Sequence, residues 1–241
     1  MMDSIREALH ELHGRPHHGL RRFDAGGPLP PHIVVLPSAF NPPTWAHFRL
    51  LALARATLGS HGTAALLTTK NVDKGLDGAP LEHRVGMLLA AVEVSPHAIL
   101  TTNAARFVDQ AAALTRAFPE VQFDFVAGYD TLIRIFDQKY YADMGAELEP
   151  FFARHRLLAT NRGAAELDHA KAVLAGTAAA PFAARVVLAE LDAEAASMSS
   201  SHVRSGLGDH MVAPAVHRYI REHGLYREDA PQGGIVQGRG A

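Results

Sequence analysis

Short apolar segments with the density of buried strands recur along the chain and alternate with longer segments of helical period. Strands are predicted at 32–36, 63–69, 98–102, 122–127, 156–160 and 185–191. Helices are predicted between them at 45–58, 79–94, 106–118, 131–138 and 164–175. The first two strands are apolar throughout their centres, Ile33-Val34-Val35-Leu36 and Ala64-Ala65-Leu66-Leu67. A strand with one wet face would alternate apolar with polar residues, so a continuous apolar run needs cover on both faces. Such strands alternating with helices imply an α/β fold with a doubly wound parallel sheet. Crossovers of one hand then bring every strand's C-terminal end, and the loop after it, to one edge of the sheet.

At 241 residues the chain can bury a full core as one large domain, placed here at 32–226. An N-terminal helix and a Pro/Gly-rich connector precede it at 1–31. Residues 227–241 form a Gly-rich tail with little to bury, expected to be disordered. Lys and Arg total 23 against 25 acidic residues, a net charge of −2, so no basic excess points to nucleic acid or to a membrane surface. The absence of cysteine excludes disulfides and cysteine-ligated metal clusters. The N-terminus has the pattern of an amphipathic helix rather than a signal peptide, and the chain reads as soluble and cytoplasmic. Histidines number 15, but His10, His13, His17 and His18 have neither metal-ligand spacing nor a third partner, so no protein-held metal site is predicted.

Two segments fall on the predicted loop edge. After the first strand comes Pro37-Ser38-Ala39-Phe40-Asn41-Pro42-Pro43-Thr44-Trp45-Ala46-His47. Asn-Pro-Pro blocks helix and strand alike, and Thr44 is suited to cap the helix that follows, which puts His47 at its third position. A strand, a turn and a helix start carrying Thr-x-x-His is a candidate phosphate site. After the last strand comes Met198-Ser199-Ser200-Ser201-His202-Val203-Arg204. With Ser201 as N-cap, Arg204 takes the same third position. Two such helix starts suit one polyphosphate. The first loop contains no G-x-G-x-x-G and the chain no G-x-x-x-x-G-K-[ST], which argues against hydride transfer and against a P-loop.

These two segments resemble the H-x-G-H and I-S-S-T-x-I-R motifs of the nicotinamide/nicotinate mononucleotide adenylyltransferases, a family of the nucleotidyltransferase superfamily. The similarity continues through Lys74 upstream of Glu82-His83-Arg84, through Gly128-Tyr129-Asp130-Thr131-Leu132, and into the closing Val212 to Tyr226. The sequence departs from the family pattern at Ser38, Ala39 and Ala46, which bears on rate and substrate preference. The resemblance implies a single Rossmann-like nucleotidyltransferase domain. It implies transfer of the adenylyl group of ATP to a pyridine mononucleotide, with Mg²⁺ held by phosphates and water. It assigns catalysis to His47, Thr44 and Arg204. ATP contacts would come from those three and from Ala39, Phe40, Gly128, Asp130, Arg162, Ser199, Ser200 and Ser201. Asp130 can equally cap a helix beginning at Thr131. Lys74, with Lys70 as the alternative, would hold the phosphate of the attacking mononucleotide, and Phe107 and Tyr129 would stack on its ring. A cytidylyl or phosphopantetheine-directed transferase, or a nucleotide-binding protein without turnover, are the competing readings. Amide against acid, and a homo-oligomeric state, stay open.

Overall fold

The computed structural model describes residues 1–241 apart from 71–77, 92, 95, 97, 162–163 and 227–241. The architecture is α/β, a seven-stranded sheet that is parallel except at one edge. The strands are β1 (Leu20–Arg22), β2 (His32–Pro37), β3 (Gly62–Thr68), β4 (Ala98–Thr102), β5 (Gln122–Gly128), β6 (Leu157–Asn161) and β7 (Val186–Glu190). Their spatial order is β1-β4-β3-β2-β5-β6-β7, with β1 antiparallel to β4 and every other pair parallel. The chain winds outward from β2 in one direction and from β5 in the other. β2 and β5 therefore flank the topological switch point, where the loops leaving their C-terminal ends diverge and open a crevice.

Side chains alternate between two cores. Val34, Leu36, Ala65, Leu67, Ile99 and Val126 face one core, shared with α1 (Met2–Gly14), α2 (Trp45–Leu58), α3 (Leu81–Ala90) and α10 (Pro214–Glu222). Ile33, Val35, Leu66, Leu100, Phe123 and Phe125 face the other, with α4 (Phe107–Ala117), α5 (Tyr129–Ile135), α6 (Met144–Arg154) and α7 (Ala164–Ala175). Both faces being covered is why β2 and β3 could dispense with polar positions.

Helix α2 matches its expected span. The helix expected at 79–94 is shorter, as α3. The helix expected at 131–138 begins earlier, at Tyr129, with Gly128 as its N-cap, so Asp130 lies inside the first turn and does not cap it. Edge strand β1 and helix α6 were not expected, nor was a helix directly after β7. The edge strand β1 is three residues of Leu-Arg-Arg, too short and polar to show a period. Helix α6 has Pro150 in its interior, and proline reads as a breaker there. The sequence after β7 forms two short helices, α8 (Ala193–Ser197) and α9 (Ser200–Arg204). Among the described residues no helix is long and apolar enough to cross a membrane. The expected tail, Lys74 and Arg162 lie outside the described residues.

Candidate active site

A cleft of about 460 Å³ opens at the switch point, over the C-terminal ends of β2 and β3. Its walls come from the loop after β2, from α3, from the start of α4, from α5 and from α9.

The β2–α2 loop supplies Ser38, Ala39, Phe40, Asn41 and His47. Its Asn41–Pro42 peptide is cis. Thr44 is the N-cap of α2, as its place before Trp45 predicts. His47 Nδ1 accepts the Thr44 backbone N–H at 3.0 Å, and the Thr44 hydroxyl lies 2.9 Å from the same nitrogen. A backbone N–H can only donate, so Nδ1 carries a lone pair and the neutral ring keeps its proton on Nε2. The tautomer is thereby set to present an N–H donor. Phe40 adopts φ +44°, a left-handed conformation that costs a non-glycine residue free energy. This turn buries its ring, 1% exposed, with the centroid 5.0 Å from that of His47. The imidazole is thus held by the cap on one side and packed on the other.

The second segment is arranged differently from expectation. The N-cap of α9 is Ser199, whose side chain accepts the Ser201 N–H. Arg204 is therefore the last residue of a five-residue helix and not its third, and Ser201 is no cap. Local sequence offered three consecutive serines as caps, and tertiary bonds decided among them. The Ser200 hydroxyl donates to the Pro42 carbonyl at 2.8 Å, and Arg204 Nη1 donates to the Asn41 carbonyl at 2.7 Å. Arg204 Nη2 donates to the Ser201 hydroxyl at 3.0 Å. Ser200 and Arg204 still line the cleft beside His47, brought there by contacts across about 160 positions of sequence rather than by a helix start.

Phe107 also lines the cleft, tilted against Phe125 with centroids 5.2 Å apart. Tyr129 is not among the residues that line the cleft. Its hydroxyl contacts His169 Nδ1 and its ring packs against the second core. At α5 the wall is Thr131, Arg134 and Ile135, while Gly128 and Asp130 are exposed at the helix start. Lys70 is exposed beyond β3, its backbone bonded to the Thr68 hydroxyl.

Three arginines given no role by the motifs share the wall: Arg84 on α3, Arg106 at the N-cap of α4 and Arg134 on α5. Arg84 is 2% exposed; its Nε donates to the Ala79 carbonyl at 2.8 Å and its Nη1 to the Ala39 carbonyl at 3.4 Å. Arg106 binds Asp109 through two nitrogens at 2.8 and 3.1 Å and Glu147 through a third, which raises its pKa despite partial burial. Arg84 closes the Glu82-His83-Arg84 segment that the resemblance already included, and that placement was the available signal. The described lining thus holds four arginines and no carboxylate, a setting for a polyanion.

No protein-family model matches the chain. Over 135 residues it is 30% identical to a Schizosaccharomyces pombe protein named as a nicotinamide mononucleotide adenylyltransferase, covering 54% of this chain and 53% of that protein. The match thus spans about half the length of that relative. A Pseudoalteromonas atlantica protein named as a nicotinate-nucleotide adenylyltransferase is 23% identical over 223 residues, covering 83% of this chain and 96% of that protein. Among solved structures, Plasmodium falciparum nicotinic acid mononucleotide adenylyltransferase complexed with NaAD superposes with a TM-score of 0.59 at 18% identity, covering 81% of this chain and 97% of that chain. The same protein complexed with APC gives 0.57 at 16% identity, covering 81% and 96%. The structural likeness establishes the shared Rossmann-like fold.

Proposed function

We propose that the chain is a nucleotidyltransferase that moves the adenylyl group of ATP onto nicotinamide or nicotinate mononucleotide, giving the dinucleotide and pyrophosphate. One observation carries this reading: His47 and Arg204 line one cleft at the switch point whose described lining holds no carboxylate, both tied to the 41–44 backbone. The names of the two curated relatives support it.

In this reaction a phosphate oxygen of the mononucleotide attacks the α-phosphorus of ATP, and the bond to the β-phosphate oxygen breaks. Such displacements need positioning and charge stabilisation more than covalent catalysis. His47 Nε2–H would donate to a non-bridging oxygen of the α-phosphate, with Thr44 fixing the ring behind it. Arg204 would hold the departing pyrophosphate, and Ser200 its approach. Ala39 and Phe40 would border the nucleotide. Phe107 would stack on the pyridine ring, and Lys74 or Lys70 would hold the acceptor phosphate. Mg²⁺ suits this donor set only as a passenger of the triphosphate. Among the described residues no cluster of three His, Asp or Glu can hold a metal, and the lining offers neutral oxygens and cations. When bound, the ion would neutralise charge on the phosphates.

The test is product identification after incubating purified protein with ATP or CTP and each of the two mononucleotides. Dinucleotide and pyrophosphate in equal amounts, from ATP and not from CTP, is the expected outcome. ATP binding without dinucleotide from either acceptor would contradict it and favour a nucleotide-binding protein without turnover.

A further inference from the structure

Resting on the adenylyl-transfer reading of the cleft, we propose that Tyr226 is a positioning residue, whose hydroxyl acts through Asn41 to fix the spacing between His47 and Arg204. The Asn41 side-chain oxygen accepts two hydrogen bonds, from the Tyr226 hydroxyl at 2.8 Å and from the Ala79 N–H at 3.2 Å. Both of its lone pairs are then filled, so the amide has one orientation. The Asn41 backbone carbonyl accepts Arg204, the Pro42 carbonyl accepts Ser200, and the Thr44 N–H holds the imidazole of His47. Residues 41–44 are therefore the common frame from which both phosphate-facing groups are hung. Tyr226 reaches this frame from the far end of the chain, 185 positions away.

Two further features show how closely the frame is built. Gly78 adopts φ +89°, and a Cβ there would run into the Asn41 amide, so the close approach at this position requires glycine. Tyr226 itself adopts φ +61°, a left-handed conformation that a tyrosine keeps only where its surroundings hold it. Burial pushes its phenol pKa up, so the hydroxyl stays protonated and donates. Removing that hydroxyl takes from the Asn41 side-chain oxygen one of the two bonds that anchor it, and so loosens the residue whose backbone carbonyl Arg204 grips. Binding ATP in the ground state tolerates such play. Holding the α-phosphate and the departing pyrophosphate at once does not.

The experiment compares the full-length protein with Tyr226→Phe, Asn41→Leu and the double variant. Hydrogen exchange followed by mass spectrometry should show faster exchange at 38–47 and 199–205 in Tyr226→Phe, with β5, β6 and β7 unchanged. Turnover should fall on the order of 10- to 100-fold while the KM for ATP stays within about two-fold. The double variant should be no worse than Asn41→Leu, because both changes cut one link. Parental turnover in Tyr226→Phe, additive losses, or exchange that is unchanged or faster throughout would each overturn the proposal. If the parent makes no dinucleotide at all, the assigned reaction falls, and the exchange pattern alone still decides whether Tyr226 holds the frame.

Discussion

At the scale of single residues, the two groups proposed to hold the phosphates, His47 and Arg204, differ in how they are prepared. His47 is set by its own helix start, where the Thr44 N–H fixes the tautomer and Phe40 packs the ring. Three residues of local sequence suffice for this, which is why His47 was legible. Arg204 was legible as a residue and not as a geometry, because its guanidinium is aimed by the Asn41 carbonyl and by no feature of its own helix. Arg134 was not legible at all, and Arg84 only as a member of the Glu82-His83-Arg84 segment. They sit on helices, and only the crossing of α3 and α5 over the sheet edge brings them to one wall. The fork of Arg204 spans an Asn41 oxygen and a Ser201 oxygen, and a lysine has one nitrogen to offer both. Arg204→Lys should therefore lower turnover on the order of 10- to 100-fold, the worth of one charge-assisted hydrogen bond. Steady-state kinetics at saturating ATP check this, and parental kinetics would make Arg204 a surface charge.

At the scale of elements, the strands were read well because burial on both faces leaves a continuous apolar signature. Edge strand β1 and helix α6 were not, since one is too short for a period and the other carries Pro150 inside it. The contact between α3 and α10 shows what local reading cannot see. Gly86 sits mid-helix, where alanine would be the better helix former, yet a Cβ there would meet the Tyr219 ring at 2.6 Å. Gly86→Ala should accordingly destabilise the protein by about 1–3 kcal/mol through overpacking, against the direction that helix propensity predicts. Denaturant unfolding decides between the two signs. The expected direction follows because Tyr219 is 8% exposed and contacts His83, leaving its ring little room to withdraw.

At the scale of the whole molecule, buried titratable groups set where the fold holds. Burial lowers the pKa of His83, with His223 beside it adding to the effect, and burial also lowers that of His155. The fold favours the neutral rings, whereas the unfolded chain takes up protons near pH ~6.5. Stability is therefore full above about pH 6.5 and declines as the pH falls through the lowered folded values. Asp124 belongs to a lower window. Burial opposes its charge, but bonds from Arg156 and His32 outweigh this and hold its pKa below the usual carboxylate range. Its contribution is present above about pH 4 and is lost only in stronger acid. Melting followed against pH should show a first decline that His155→Gln reduces, and a flat profile between about pH 7 and pH 5 would contradict this assignment.

The doubly wound architecture was readable from the alternation of strands and helices, and the strand order places the cleft where β2 and β5 part. The groups that meet there can be tested as a unit by a single comparison, the rate of dinucleotide formation and the affinity for ATP in the parent and in His47→Ala. If His47 Nε2–H stabilises charge that develops on the α-phosphate, turnover falls on the order of 10²–10³ while ATP affinity changes little. Near-parental turnover in the folded variant would contradict the account.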